Sequence, residues 1–193
     1  MPVAWADVFG NDRPVEVEIG PGRGDVLLAF AGRRSGTNFF AIERVHGAVA
    51  SIAARAAARG LPNVRVVAGD ARCIVARLVP DASVTAYHIY FPDPWPKTRH
   101  RARRLACPEF ARDVARTLAP GGAVHVASDL SLVVGALGAC LAGAGLSPLP
   151  GATWPPGRPI TSFERKYAGA GTHYARLVRA EGRGAPAPGT ADG

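Results

Sequence analysis

Between Phe91 and Leu105 the chain reads FPDPWPKTRHRARRL, a lone carboxylate on a proline-stiffened turn that runs directly into a basic tract. Proline fixes its own φ and biases the preceding residue toward extended geometry, so Pro92, Pro94 and Pro96 leave Asp93 and Trp95 little freedom. A carboxylate held this rigidly can orient a reacting group and balance positive charge that develops on it. Lys97, Arg99, Arg101, Arg103 and Arg104 suit a polyanion, because each cation that meets a phosphate releases condensed counterions. A charge run alone is equally a solvated face, so its meaning rests on the residues around it.

Three more acids fall at or beside the ends of β-type runs. Val15 to Ile19 carries Glu18 into the loop Gly20-Pro-Gly-Arg-Gly24, where Gly20, Gly22 and Gly24 allow a ligand to approach the backbone. Thr37 to Ile42 ends at Glu43, about twenty residues beyond the loop, where nucleotide-binding folds place an acid on a ribose diol. Asn63 to Ala68 ends at Gly69-Asp70. The loop is GxGxG, and Asp25 stands where a dinucleotide site would bring a glycine close to pyrophosphate. Gathering Glu18, Glu43, Asp70 and Asp93 around a diphosphate would be electrostatically costly. S-adenosylmethionine carries a sulfonium, an ammonium group and a ribose diol but no phosphate, so this rim suits it.

The elements that position these acids alternate. Helices are expected at Asp25 to Arg33, Ala48 to Arg59, Pro108 to Leu118 and Leu130 to Ala144. Further strands are expected at Val84 to Tyr90, Ala123 to Ala127 and Thr172 to Arg179, with Pro120-Gly121-Gly122 as a loop. The pattern predicts an α/β fold with a doubly wound, mostly parallel sheet and ligands at its carboxyl edge. Residues 1–180 read as a single domain and 181–193, rich in Pro, Gly and Ala, as a disordered tail.

A chain of 193 residues with 48% hydrophobic content fits one domain, and a net charge of +8 favours an anionic partner. Cys73, Cys107 and Cys140 are odd in number and far apart, so they are expected reduced and mostly buried, without a disulfide or zinc framework. His88, His100 and His173 lack ligand-like spacing, so no metal is assigned. Leu130 to Pro150 contains no charged residue, but its glycines and serines dilute it. It reads as a core helix capped by Asp129 rather than a membrane span. No basic-then-apolar leader precedes it, so the cytoplasm is expected.

These motifs together resemble the bacterial tRNA (guanine-N7-)-methyltransferases, which have the class I, Rossmann-like methyltransferase fold. The resemblance runs from about Val15 to Arg179 and is carried most specifically by Phe91-Pro-Asp-Pro-Trp-Pro-Lys97 with Arg99, His100 and Arg103-Arg104-Leu105. Glu18-Ile-Gly, Ile42-Glu43, Asn63-Val64-Arg65 leading to Asp70-Ala71, Ser128-Asp129 and the TSFERKY segment support it. It implies S-adenosylmethionine as cofactor, held by Glu18, the glycine loop, Glu43, Asp70, Ala71 and Asp93. It implies tRNA as partner, contacted by Lys97, Asp129 and Thr161 through Glu164, and catalysis by Asp93 on a guanine of the variable loop. Two departures stand out: Pro21 and Arg23 replace large apolar residues in the loop, and a basic N-terminal extension seen in many members is largely missing. Monomer and homodimer both stay open.

Other readings of the same residues remain. Thr161 with Glu164 has capping-box spacing, and Asp129 could cap the helix that follows it. A class I methyltransferase acting on another RNA or a small molecule would explain the acids without the basic tract. An RNA-binding module with an inactive pocket would explain the tract without the acids.

Overall fold

The computed structural model describes residues 1–94, 105–155, 158–161, 164–165 and 171–181. Lys97, Arg99, Arg101, Arg103, Arg104 and the expected tail therefore lie outside the described residues, apart from Glu181. Seven strands form one sheet: β1 (Val15–Ile19), β2 (Asn38–Glu43), β3 (Val64–Ala68), β4 (Val84–Tyr90), β5 (Leu118–Ser128), β6 (Ser147–Pro148) and β7 (His173–Val178). Their order is β3-β2-β1-β4-β5-β7-β6, with β7 antiparallel to both β5 and β6 and the first five strands parallel. The helices are α1 (Trp5–Phe9), α2 (Asp25–Arg33), α3 (His46–Ala58), α4 (Ala71–Leu78), α5 (Pro108–Thr117) and α6 (Ser131–Gly143). Apolar clusters fill both faces of the sheet, one around Val17, Ile42, Tyr87, Val124 and Leu141, the other around Leu27, Phe39, Ile52 and Ala127.

The order reverses direction between β1 and β4, and at such a switch point neighbouring connections leave on opposite faces and open a crevice. The glycine loop follows β1 and Asp93 follows β4, so both sit at that crevice. Gly24 sets the start of α2: its φ is +72°, and a Cβ there would lie 2.9 Å from Ile52 Cγ1, which is fully buried.

The structure corrects several expectations. Strand β5 begins at Leu118, directly after α5, so Pro120-Gly121-Gly122 lies inside the strand and not in a loop. The pairing of β4 with β5 is irregular between Val84 and Ala86, which accommodates the extra residues before Ala123. Helix α6 buries Val134, Leu137 and Leu141, but Leu132 is 82% exposed and its Gly/Ala face is outward, so the helix covers the core with one stripe only. Asp129 does not cap it; Ser128 Oγ accepts the Leu130 N–H at 3.2 Å and donates to Asp129 Oδ1 at 3.1 Å. The cysteines are free, but Cys73 is exposed and Cys107 and Cys140 are half-buried. No helix among the described residues is long and apolar enough to cross a membrane.

Because a left-handed residue with a Cβ costs about 1–2 kcal/mol and Ile52 must also shift, Gly24→Ala is expected to destabilise the chain by about 2 kcal/mol. Urea unfolding checks this, and an unchanged midpoint would contradict the packing described at the start of α2.

Candidate active site

Two adjoining cavities of about 490 and 550 Å³ open at the carboxyl ends of β1 to β4 and share Gly20, Gly22 and Phe91. Glu43, Asp70, Ala71 and Asp93 line the first; Glu18, Asp25, Tyr90 and Thr161 line the second, with Pro21 and Arg23. The structure thus brings all four strand-end acids to one crevice. It gives them unequal environments. Glu18 is 5% and Glu43 8% exposed, whereas Asp70 and Asp93 are open to solvent.

Each acid is held differently. The Gly22 and Val45 N–H groups each donate to one Glu43 oxygen at 3.0 Å, and each oxygen keeps capacity to accept a further bond. Asp70 caps α4 by accepting from the Arg72 N–H at 2.9 Å. Asp25 pairs with Arg55 at 3.4 Å and Arg165 at 3.3 Å. Burial pushes the Glu18 carboxyl up to about 8, with the charge of Asp25 adding to the rise; Arg158 and a bond from the Leu27 backbone oppose it. Asp93 follows Phe91, whose φ of +50° is a conformation that non-glycine residues adopt at a cost of about 1–2 kcal/mol. That kink, secured by the Phe91 N–H bond to Ala127 O at 2.7 Å, turns the chain out of β4 and into the crevice.

The remaining expected residues divide. Gly24 packs on Ile52 at the start of α2 and lines neither cavity. Asp129 stands at the end of β5, engaged by Ser128. Thr161 and Glu164 form the reciprocal bonds of a capping box: the Thr161 N–H donates to Glu164 Oε2 at 2.8 Å and the Glu164 N–H to Thr161 Oγ1 at 3.0 Å. Among the described residues no group of three or more His, Cys, Asp or Glu is placed to hold a metal ion.

Beneath the crevice lies a polar network that the sequence reading did not single out. Glu16 accepts from Arg34 at 2.7 Å and meets His88 Nε2 at 2.8 Å, and His88 Nδ1 meets the Tyr90 hydroxyl at 2.8 Å. His125 stacks on His88 with centroids 5.2 Å apart, and its Nδ1 meets the Tyr174 hydroxyl. Burial alone would raise the Glu16 carboxyl, but its bonds and charge contacts with His88 and Arg34 outweigh that and hold it below its ordinary value. The signal was present: VEVEI puts Glu16 and Glu18 on one face of a strand flanked on both sides, and an acid there must either find partners or stay neutral.

Compared with known proteins, residues 12–174 match the model of the Methyltransf_4 methyltransferase family. The tRNA (guanine-N(7)-)-methyltransferase of Geobacter metallireducens is 44% identical over 128 residues, covering 66% of this chain and 61% of that protein. Its namesake from Cupriavidus metallidurans is 40% identical over 128 residues, 66% of this chain and 49% of that protein. The chain thus spans about half to three fifths of the length of the curated relatives it matches. Among solved structures, a 16S rRNA (adenine(1408)-N(1))-methyltransferase variant from Catenulisporales acidiphilia with cosubstrate SAM superposes with a TM-score of 0.67. It is 16% identical, with 93% of this chain and 91% of that one covered, which establishes a shared Rossmann-like methyltransferase fold.

Burial, with the nearby charge of His88 and Arg176, pushes His125 down to about 3 from an ordinary 6.5. The unfolded chain therefore binds the extra proton first between these values, so the stability contributed is complete above pH 6.5 and lost progressively as pH falls toward 3. Urea unfolding from pH 4 to 8 is expected to show this slope, reduced in His125→Gln; an identical slope in both proteins would contradict it.

Proposed function

The chain belongs to the Methyltransf_4 methyltransferase family, and from that premise we propose that it transfers a methyl group from S-adenosylmethionine to N7 of a guanine in tRNA. The observation that carries the reading is the carboxylate-rimmed crevice at the switch point with Asp93 at its edge, in a chain of net charge +8. Relatives named for this reaction support the choice of tRNA and of guanine N7. In this reading residues 1–180 act as one cytoplasmic domain, as a monomer or homodimer.

The residues present fit the cofactor. A Cβ at Gly20 or Gly22 would meet no atom within 4 Å, so both glycines leave open space beside the crevice. Glu43, its carboxylate oriented by two N–H groups, would take the ribose hydroxyls. Glu18 and Asp25 would face the ammonium and sulfonium end, and Asp70 with Ala71 the base. The cofactor supplies an electrophilic methyl group on a positively charged sulfur. Guanine N7 already holds an in-plane lone pair, so the reaction removes no proton from it and needs no strong general base. Asp93, fixed by Pro92, Pro94 and the Phe91 kink, instead orients the base and balances the positive charge that moves onto the purine. N7 is hemmed in within a stacked helix, so the base must be presented or splayed out. The basic tract from Lys97 to Arg104 would grip phosphate for that purpose without reading sequence.

Incubation with methyl-labelled cofactor and unmodified tRNA tests the assignment. The expected product is N7-methylguanosine at one guanine, with no transfer when that guanine is replaced by 7-deazaguanine; label on another atom would overturn it. In single-turnover measurements with both ligands saturating, Asp93→Asn is expected to retain measurable transfer while Asp93→Ala loses about 10²-fold or more. Equal and complete loss in both, with cofactor binding intact, would show that the charge itself is indispensable.

A further inference from the structure

We infer that Arg158 is a positioning residue, whose guanidinium ties the Thr161–Glu164 turn to the sheet and sets where Thr161 meets the second cavity. The inference rests on the methyl-transfer reading and goes beyond it, because Arg158 lines neither cavity and acts through its neighbours.

The geometry is that of a fork closed on a fork. Arg158 Nη1 donates to Glu164 Oε2 and Nη2 to Glu164 Oε1, both at 2.7 Å, and Nη1 also donates to Pro159 O at 2.9 Å. The same Glu164 Oε2 accepts the Thr161 N–H, so one carboxylate joins Arg158 to Thr161. Arg158 is anchored on its other side by aromatic rings. Its guanidinium carbon lies 3.5 Å from the Trp154 ring centroid and 6.0 Å from that of Tyr90. Trp154 packs in turn on Tyr90 of β4 at 5.4 Å and Tyr174 of β7 at 5.0 Å. A chain of contacts therefore runs from the sheet through Trp154, Arg158 and Glu164 to Thr161, which borders the cavity holding Glu18 and Asp25.

With its side chain only 7% exposed, Arg158 is badly placed to grip a phosphate, and Glu164, implied by the family resemblance to touch RNA, has both oxygens engaged inside the chain. The fork also sets charge at the site, because Arg158 opposes the upward push of burial and of Asp25 on Glu18; Tyr90 and the Arg55 and Arg165 partners of Asp25 are the further charged or titratable side chains nearby among the described residues. Lysine in its place would keep the charge but lose the bidentate bond and most of the stacking.

The test compares wild-type chain, Arg158→Lys, Arg158→Met and Glu164→Gln by single-turnover transfer to unmodified tRNA, tRNA affinity against salt, and S-adenosylmethionine affinity against pH. In Arg158→Lys and Glu164→Gln the transfer rate is expected to fall about tenfold or more while tRNA affinity and its salt slope stay within twofold, as misplacement does. In Arg158→Met the pH at which the cofactor binds tightly is expected to move upward, whereas in Arg158→Lys it stays, a readout that mere architecture would not move. Weaker tRNA binding with the salt slope reduced by about one unit would make Arg158 a phosphate contact and overturn the inference. Unchanged transfer per folded molecule in Arg158→Lys and Glu164→Gln would also overturn it, even if Arg158→Met fails to fold. If the wild-type chain transfers nothing to tRNA yet Arg158→Met shifts the pH of cofactor binding, the substrate assignment fails while the placement of Arg158 stands.

Discussion

Five carboxylates meet at one edge of a parallel sheet, and their mutual repulsion is the constraint that the rest of the crevice answers. Like charges in a poorly solvated site cannot all stay ionised without partners, so each acid is met by a different device. Glu43 faces two backbone N–H groups, Asp70 the first turn of α4, and Asp25 two arginines. Asp93 stays in solvent. The described residues give Glu18 no ion pair within 4 Å, and it answers by holding its proton up to about pH 8. A crevice arranged in this way repels phosphate and gains from a bound cation, which is the electrostatic case for a sulfonium cofactor over a dinucleotide.

The sheet below is built to support that edge. Glu16, His88, Tyr90, His125 and Tyr174 cross β1, β4, β5 and β7 as a row of mutually satisfied polar groups, and such rows fix strand register because each group is costly without its partner. Above it, the kink at Phe91 accepts backbone strain in order to carry Asp93 toward the glycine loop across the switch point. Trp154 and Arg158 join the two layers by resting on Tyr90 and Tyr174.

Much of this was legible in the residues. The bounds of α2 and β4 follow from the glycine loop and from the proline-bounded run Val84 to Tyr90, and the acids were found because each falls at or just beyond a strand end. The start of β5 was not legible, since Pro-Gly-Gly announces a turn and only the neighbouring strand shows that the irregularity is absorbed within the pairing. Helix α4 is eight residues long and nearly all apolar apart from Arg72 and Arg77, too short a run to declare a period, although only Ala71 and Val75 are buried. The partner of Glu16 could not be named, because His88 is brought beside it by the order of β1 and β4, which sequence distance does not give. Arg158 was hidden in the Pro/Gly-rich connection after β6, where a lone arginine looks solvated until Trp154 and Glu164 close on it.

Burial keeps the Glu18 carboxyl neutral in the free chain near pH 7, and a bound cation is expected to ionise it. Calorimetry of S-adenosylmethionine binding in two buffers of different ionisation enthalpy measures it directly, because a released proton appears as a buffer-dependent heat. Release approaching one proton per molecule bound is expected near pH 7, vanishing as the pH passes above about 8 and absent in Glu18→Gln. Heats that are independent of buffer at pH 7, or proton uptake on binding, would contradict it.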